Sequence, residues 1–358
     1  MSSLVYSRLL FVKRLPVFYQ ACKCYSNLAQ PFIAVSQKII ADVDEIEDIE
    51  IYGNLKERTK NLLQHPRLIG DMESPNTTLK VFKILNPNEQ KLDLVYLLGW
   101  LMEMLNGVLS IKSDSFHDIQ TRNNTKSWHT DRTYNNQVSN DTVLMESYVF
   151  LQLKKYFSTH RNYVNILETF HEAFSDSLAG RNLELISKDL EKFDYNLLKN
   201  IAELKIAPMS FELPLKSALY LSNNSHIVYT EEIADVLKDI ALLKKIKIDY
   251  LDSFGLLPEH FNIKHGYCSW LAIKSLEKVD GEQKAVLKEH YGKLESESIE
   301  KVNNVYKNSL LTGDYEKLKG KIYDDTKAKI ENISHELLRK SLFCILDRTY
   351  SLKADDRM

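Results

Sequence analysis

Glycine and proline are scarce, 11 and 8 in a chain of 358 residues, against average usage of about 7% and 5%. So few chain breakers exclude a loop-dominated or linker-rich architecture and leave long stretches free to continue as regular elements. Cysteine is rarer still. Cys22, Cys24, Cys268 and Cys344 have no metal-type spacing, and a disulfide framework does not suit a chain of this length, so they read as reduced thiols. An excess of charge of one sign is also missing: the net charge is −2, which leaves no electrostatic footprint for nucleic acid. No apolar run reads as a membrane span.

Acid is absent from the first 41 residues, which carry Arg8, Lys13, Arg14, Lys23 and Lys38 among apolar residues such as Leu4, Leu9, Leu10 and Phe11. That pattern is the character of a mitochondrial transit peptide. A disordered or locally docked N-terminus is the alternative. The expected organisation is therefore a leader over 1–32 and one domain over 33–358, mitochondrial if the leader acts as an address and cytoplasmic otherwise.

What is abundant is apolar residue, 44% of the chain, recurring at helical spacing nearly everywhere. Helices are expected at about 33–48, 54–65, 76–86, 89–120, 140–157, 160–179, 194–221, 229–254, 266–277, 281–311 and 315–350. No stretch alternates convincingly over strand length. The expected fold is all-α, a single large helical bundle with long helices around a shared apolar interior.

Two of these helices begin apolar and end in carboxylates. In "SIKSDSFHDIQTRNN" (110–124), Asp114 and Asp118 stand four apart; in "LLKKIKIDYLDSFG" (242–255), Asp249 and Asp252 stand three apart. On a helix, both spacings put the pair on one face. Four carboxylates at one apolar mouth would suit magnesium, a hard cation that takes oxygen ligands and commonly bridges to phosphate. By itself each pair is more often the pattern of a solvated helix face.

The surrounding residues resemble farnesyl diphosphate synthase and the all-α isoprenoid synthases. "LGWLMEMLNGVLSIKSDSFHDIQTR" is similar to the helix carrying that family's first aspartate-rich motif, Asp-Asp-x-x-Asp. "KIKIDYLDSFG" resembles the second, Gln-x-Asp-Asp-Tyr-x-Asp-x-Phe-Gly. "GYCSWLAIKSLE" and "EQKAVLKEHYGK" are similar to the segments that follow. The likeness spans roughly 35–350.

The departures are selective. The first motif reads Ser113, Asp114, Ser115, Phe116, His117, with Asp118 one residue past its usual end. Ile248 replaces the first aspartate of the second motif. A middle-helix Lys-Thr pair becomes Lys205-Ile206, and the aspartate of a Gln-x-x-Asp pattern corresponds loosely to Glu184. The Gly-Lys-x-x-Arg that holds isopentenyl diphosphate in the family matches "GDMESPNTTLKVF" (70–82), which has neither cation at the matching positions. Of two arginines after the first motif, Arg122 survives and the second has become Asn123. Losing three cations leaves little to hold a second diphosphate, because charge-assisted bonds are the strong ones.

The resemblance therefore implies an isoprenoid synthase fold with a central cavity. Magnesium would be held by Asp114, Asp118, Asp249 and Asp252, and an allylic diphosphate would be contacted by Arg122 and Lys205. Asp114, Asp118 and Asp249 would carry ionisation, by stabilising charge on the departing diphosphate. Val108 and Leu109, near the positions of chain-length-limiting aromatics, would line a pocket deep enough for a C15 chain. With no partner to couple, the cation would cyclise, lose a proton or capture water. That is the chemistry of a terpene synthase acting on farnesyl diphosphate to give a sesquiterpene, as in the insect terpene synthases that resemble this family. Two alternatives stay open: a prenyltransferase with altered coupling, and a non-catalytic or partner-subunit homologue. His117 could hydrogen-bond a diphosphate or carboxylate, accept a proton, or be structural. Phe174, Phe211 and Tyr250 could face a cation or pack the core, and Trp100, Trp128 and Trp270 read as core. The family also implies a homodimer.

Overall fold

The computed structural model describes residues 29–45, 53–65, 68, 70, 72–122, 125–130, 137–222, 224, 227–255 and 259–351. The expected leader lies outside the described residues except for 29–32, which open the first helix. Fifteen α-helices and one two-stranded ladder are present among the described residues, so the chain is all-α. The chain separates into two compact units. One comprises Met1–Glu168 with Ser217–Asn224 and Asp356–Met358, the other Thr169–Lys216 with Ser225–Asp355.

The first unit is organised around helix α4. It contains α1 (Ala29–Asp42), α2 (Gly53–Leu63), α3 (Glu73–Leu85), α4 (Asp93–Phe116), the ladder β1 (Thr121–Arg122) and β2 (Thr125–Lys126), and α5 (Val138–Phe157). Helices α1, α3 and α5 all pack on α4. Fifteen of the 24 residues of α4 are buried, including Leu97, Leu98, Trp100, Leu101, Met104 and Leu105. The helix is long and apolar enough to cross a membrane, yet its most apolar window is 78% buried within the protein. Burial on nearly all sides explains that hydropathy as a core helix.

Where the periodicity predicts helix to residue 120, α4 stops at Phe116. Asp118 adopts a left-handed conformation at φ 52°, a state that short polar side chains tolerate and that ends a helix. The chain then turns into the antiparallel ladder, pairing Thr121 with Lys126 and Arg122 with Thr125. No strand was expected here. Two residues per strand are too few to show alternation, and the signal that could have found the hairpin is the intervening Asn123-Asn124, a turn-forming pair.

The second unit is organised around α9 (Glu231–Phe254). Before it come α6 (Tyr163–Ile186), which starts in the first unit, α7 (Tyr195–Lys205), a π-helical turn (Pro208–Glu212) and α8 (Leu213–Leu221), whose last residues return to the first unit. After it come α10 (Phe261–His265), α11 (Trp270–Lys278), α12 (Gly281–His290), α13 (Ser296–Asn308), α14 (Leu311–Glu331) and α15 (Glu336–Ser351). Helix α9 packs against α7, α11, α14 and α15. It buries Ile233, Val236, Leu237, Ile240 and Leu243 at spacings of three and four. Glu231 and Glu232 sit in its first turn, where they complement the positive end of the helix dipole. Capping side chains start three neighbours: Asp194, Ser269 and Asp280 accept from the backbone N–H groups of Leu197, Ala272 and Gln283.

The expected helix over 194–221 is broken at the π turn. Pro208 lacks a backbone donor and its ring excludes the carbonyl four residues earlier, and a π turn absorbs the mismatch. The expected helix over 281–311 is split after His290, where Gly292 at φ 84° turns the chain and its N–H donates to the Ile263 carbonyl at 2.8 Å. Helix α6 approaches the end of α7 so closely that a Cβ on Gly180 would lie 2.4 Å from the Lys205 backbone nitrogen. Gly180→Ala should therefore force backbone separation and cost about 1–3 kcal/mol. A thermal-unfolding midpoint unchanged from wild type would contradict this packing.

Candidate functional site

At the end of α4, Asp114 is 1% exposed, and the Ser127 hydroxyl donates to its Oδ2 at 3.4 Å. Asp118 lies beyond the helix with its side chain 83% exposed. Its Oδ1 accepts from the Gln120 amide at 2.7 Å and lies 3.3 Å from His129 Nε2. The expected shared face for Asp114 and Asp118 is thus corrected. That spacing aligns two side chains only while the helix continues, and here it ends between them. His117 caps α4: its backbone N–H donates to the Ser113 carbonyl, and its Nδ1 lies 2.8 Å from the same oxygen. Arg122 falls in β1, and its side chain lies outside the described residues, as does Asn123. Val108 and Leu109 are fully buried in α4.

The hairpin is fixed by a charged network. Trp128 Nε1 donates to Asp141 Oδ2 at 2.8 Å, and Arg58 grips both oxygens of Asp141 at 2.7 and 2.6 Å. A planar guanidinium matches a carboxylate in this two-pronged way. The segment that would bind a second diphosphate is built differently. Glu73, Ser74, Asn76, Thr77 and Thr78 are buried at the start of α3, and buried Glu103 accepts from the Gly70 N–H at 2.6 Å. Carboxylates at such a position repel an anion.

In the second unit, Asp249 is fully buried on α9 and its oxygens are occupied. Oδ1 accepts from Lys245 Nζ at 2.7 Å and from the Asn262 amide at 3.0 Å; Oδ2 accepts from the Trp270 backbone N–H at 2.9 Å. Lys245, one turn earlier on the same helix, is 4% exposed. It also donates to the Cys268 carbonyl at 3.2 Å and lies 4.0 Å from Glu184 Oε1. Lys205, at the end of α7 and with a side chain 26% exposed, pairs with Glu184 Oε2. Burial pushes the Glu184 carboxyl up, but Lys205, Lys245 and Arg181 outweigh it and hold the group below its ordinary value. Burial likewise lowers Lys245, and Asp249 and Glu184 more than reverse it. Asp252 turns the other way along the chain: its oxygens accept from the Phe261 and Asn262 N–H groups at 2.8 and 2.9 Å, capping α10. Of the aromatic candidates, Phe174 and Phe211 are buried, and Tyr250 stacks on Tyr315 at 3.9 Å.

These donors bear directly on magnesium. Among the described residues no three His, Cys, Asp or Glu side chains are grouped to hold a metal ion. Asp249 accepts three hydrogen bonds and holds the Lys245 ammonium at 2.7 Å, so this aspartate as placed does not fit a magnesium ion. Sequence reasoning named Glu184, Lys205 and Asp249 but passed over Lys245 and Arg181. The signal was present in "KIKID", since lysine and aspartate four apart are neighbours on a helix.

Burial lifts Asp252 to about 6, against the two backbone hydrogen bonds that lower it. The folded state therefore keeps this proton to higher pH than the unfolded chain, whose aspartate ionises near 3.8. The stability it contributes is complete below about pH 4 and is lost as pH rises through 6. Denaturant midpoints at pH 4, 5 and 6.5 should show wild type losing stability relative to Asp252→Asn along that series; a constant difference would refute the assignment.

The chain matches the polyprenyl synthetase family over residues 63–309. It is 29% identical over 282 residues to farnesyl pyrophosphate synthase 1 of Cannabis sativa, covering 76% of this chain and 82% of that protein. It is 26% identical over 348 residues to the mitochondrial farnesyl pyrophosphate synthase 1 of Arabidopsis thaliana, covering 92% and 89%. A bifunctional chrysanthemol synthase of Tanacetum cinerariifolium is 27% identical over 335 residues, covering 88% and 84%. Among solved structures, T. brucei farnesyl diphosphate synthase in complex with a bisphosphonate superposes with a TM-score of 0.80 at 21% identity, covering 90% of this chain and 98% of that one. The family match spans more than half of the chain and the fold agrees with it; this protein belongs to the polyprenyl synthetase family of isoprenoid-diphosphate enzymes.

Proposed function

We propose that this protein is a prenyltransferase-type enzyme that binds an allylic isoprenoid diphosphate and has an altered coupling step. The observation that carries the reading is the cationic cluster of the second unit. Arg181, Lys205 and Lys245 gather around Glu184 and Asp249, and ammonium and guanidinium groups are the natural ligands of a diphosphate. In the first unit, Arg122 is assigned to diphosphate contact from its place after the first motif alone, and Val108 and Leu109 to a wall for a prenyl chain. The similarity to farnesyl diphosphate synthases and to a chrysanthemol synthase supports joining of isoprenoid units. The alteration is inferred from residues 70–82, where buried Glu73 and neutral side chains stand in place of the cations that would hold a second diphosphate.

That same segment favours a second reading, ionisation of farnesyl diphosphate alone to a sesquiterpene. The two are separated by one assay. Full-length protein is given geranyl, farnesyl or geranylgeranyl diphosphate, each with and without isopentenyl diphosphate and with and without magnesium, and products are read by mass spectrometry. Longer or irregular prenyl diphosphates formed only with the second substrate are expected. A terpene from farnesyl diphosphate alone would replace this reading with the lyase, and no turnover would point to a non-catalytic partner subunit, for which the engaged Asp249 and Asp252 already provide a reason. Lys205→Ala should lower kcat/KM about tenfold or more, the loss of one charge-assisted contact worth about 1.5–3 kcal/mol.

Two further assignments belong to this proposal. A homodimer is proposed from the family likeness; a monomer by light scattering would refute it. The basic, acid-free N-terminus, together with the mitochondrial Arabidopsis relative, supports mitochondrial import; failure of residues 1–41 to carry a fluorescent protein into mitochondria would refute it.

A further inference from the structure

We propose that the second unit binds a diphosphate group without a divalent cation, with Lys245 supplying between two carboxylates the positive charge a metal ion would otherwise supply, and Arg181 and Lys205 the remainder. The inference rests on the reading of this region as an isoprenoid diphosphate site.

Three observations carry it. Lys245 Nζ is placed between carboxylates from two helices, 2.7 Å from Asp249 Oδ1 on α9 and 4.0 Å from Glu184 Oε1 on α6. A magnesium ion brought to that point would meet a resident ammonium and a carboxylate that already accepts three hydrogen bonds, from Lys245, Asn262 and Trp270. Second, positive groups gather on one carboxylate: Lys205, Lys245 and Arg181 all act on Glu184 and together hold it below its ordinary value. Such a gathering of ammonium and guanidinium groups is complementary to a multiply charged anion. Third, Arg181, one turn before Glu184 on α6, has its Nε–H buried with no hydrogen-bond partner. Buried donors are nearly always paired in a native protein, so this one marks a position where an acceptor is missing. Lys205, a quarter exposed, keeps the cluster reachable from solvent.

Titration calorimetry of the full-length protein with inorganic diphosphate, in EDTA and in magnesium, tests this. Wild type should bind with a Kd that differs less than about threefold between the two buffers. Arg181→Gln should weaken binding at least tenfold in both. Lys245→Gln keeps an amide donor for Asp249 but removes the charge; binding in EDTA should fall at least tenfold and recover when magnesium is added. That recovery is a response a merely structural lysine would not produce. Wild-type binding in magnesium alone, or a Lys245→Gln protein that binds as wild type does in EDTA, overturns the inference and leaves the diphosphate site standing. Failure of both inorganic and geranyl diphosphate to bind in either buffer overturns the site itself. Circular dichroism melts verify that the variants are folded. If Lys245→Gln does not fold, the wild-type comparison between the two buffers, together with Arg181→Gln, decides the question.

Discussion

The buried pair of Lys245 and Asp249 is the interaction on which the second unit turns. One carboxylate on α9 takes a hydrogen bond from its own helix, another from Asn262 in α10 and a third from the first backbone N–H of α11. Three consecutive elements are thereby referred to a single side chain. Asp252, less than one turn further on, does the same for the start of α10. Breaking such a pair by removing one member leaves an uncompensated interior charge at a cost of about 3–5 kcal/mol. The end of α9 therefore serves as an internal brace, and any role in chemistry has to be compatible with that duty.

The first unit solves the same problem with other residues. Its buried carboxylate Asp141 ties the turn after the hairpin to α2 and α5 through Trp128 and Arg58. Asp114 stays inside, against Ser127, while Asp118 is carried out to solvent by a left-handed residue that ends the helix. The two aspartate-rich stretches therefore differ in kind. One has a carboxylate turned to water next to a histidine, and the other has spent its carboxylates on the protein's own amides and ammonium.

The two units also differ in buried charge. Over 70–82 an acid and small polar side chains are buried, whereas Arg181, Lys205 and Lys245 gather around Glu184. A resident ammonium carries no requirement for a metal, but it fixes the electrostatics permanently.

Much of this protein could be read from its sequence. Glycine and proline scarcity and apolar spacing determined an all-α chain, because helical periodicity is a local property that survives in any tertiary context. The central helices α4 and α9, the buried tryptophans and the family resemblance were legible for the same reason. Tertiary structure alone decided the ends and the partners. Asp118 leaves the helical face because the chain must turn into a hairpin. Pro208 and Gly292 break what periodicity joined, since one backbone donor or one positive φ outweighs a row of apolar residues. Asp249 reads as a free ligand in sequence, yet its oxygens already accept from Asn262 and Trp270, 13 and 21 residues away. A pattern of residue types records which groups are available to a site; which of them are already engaged depends on contacts distant in sequence, and those exist only once the chain has folded.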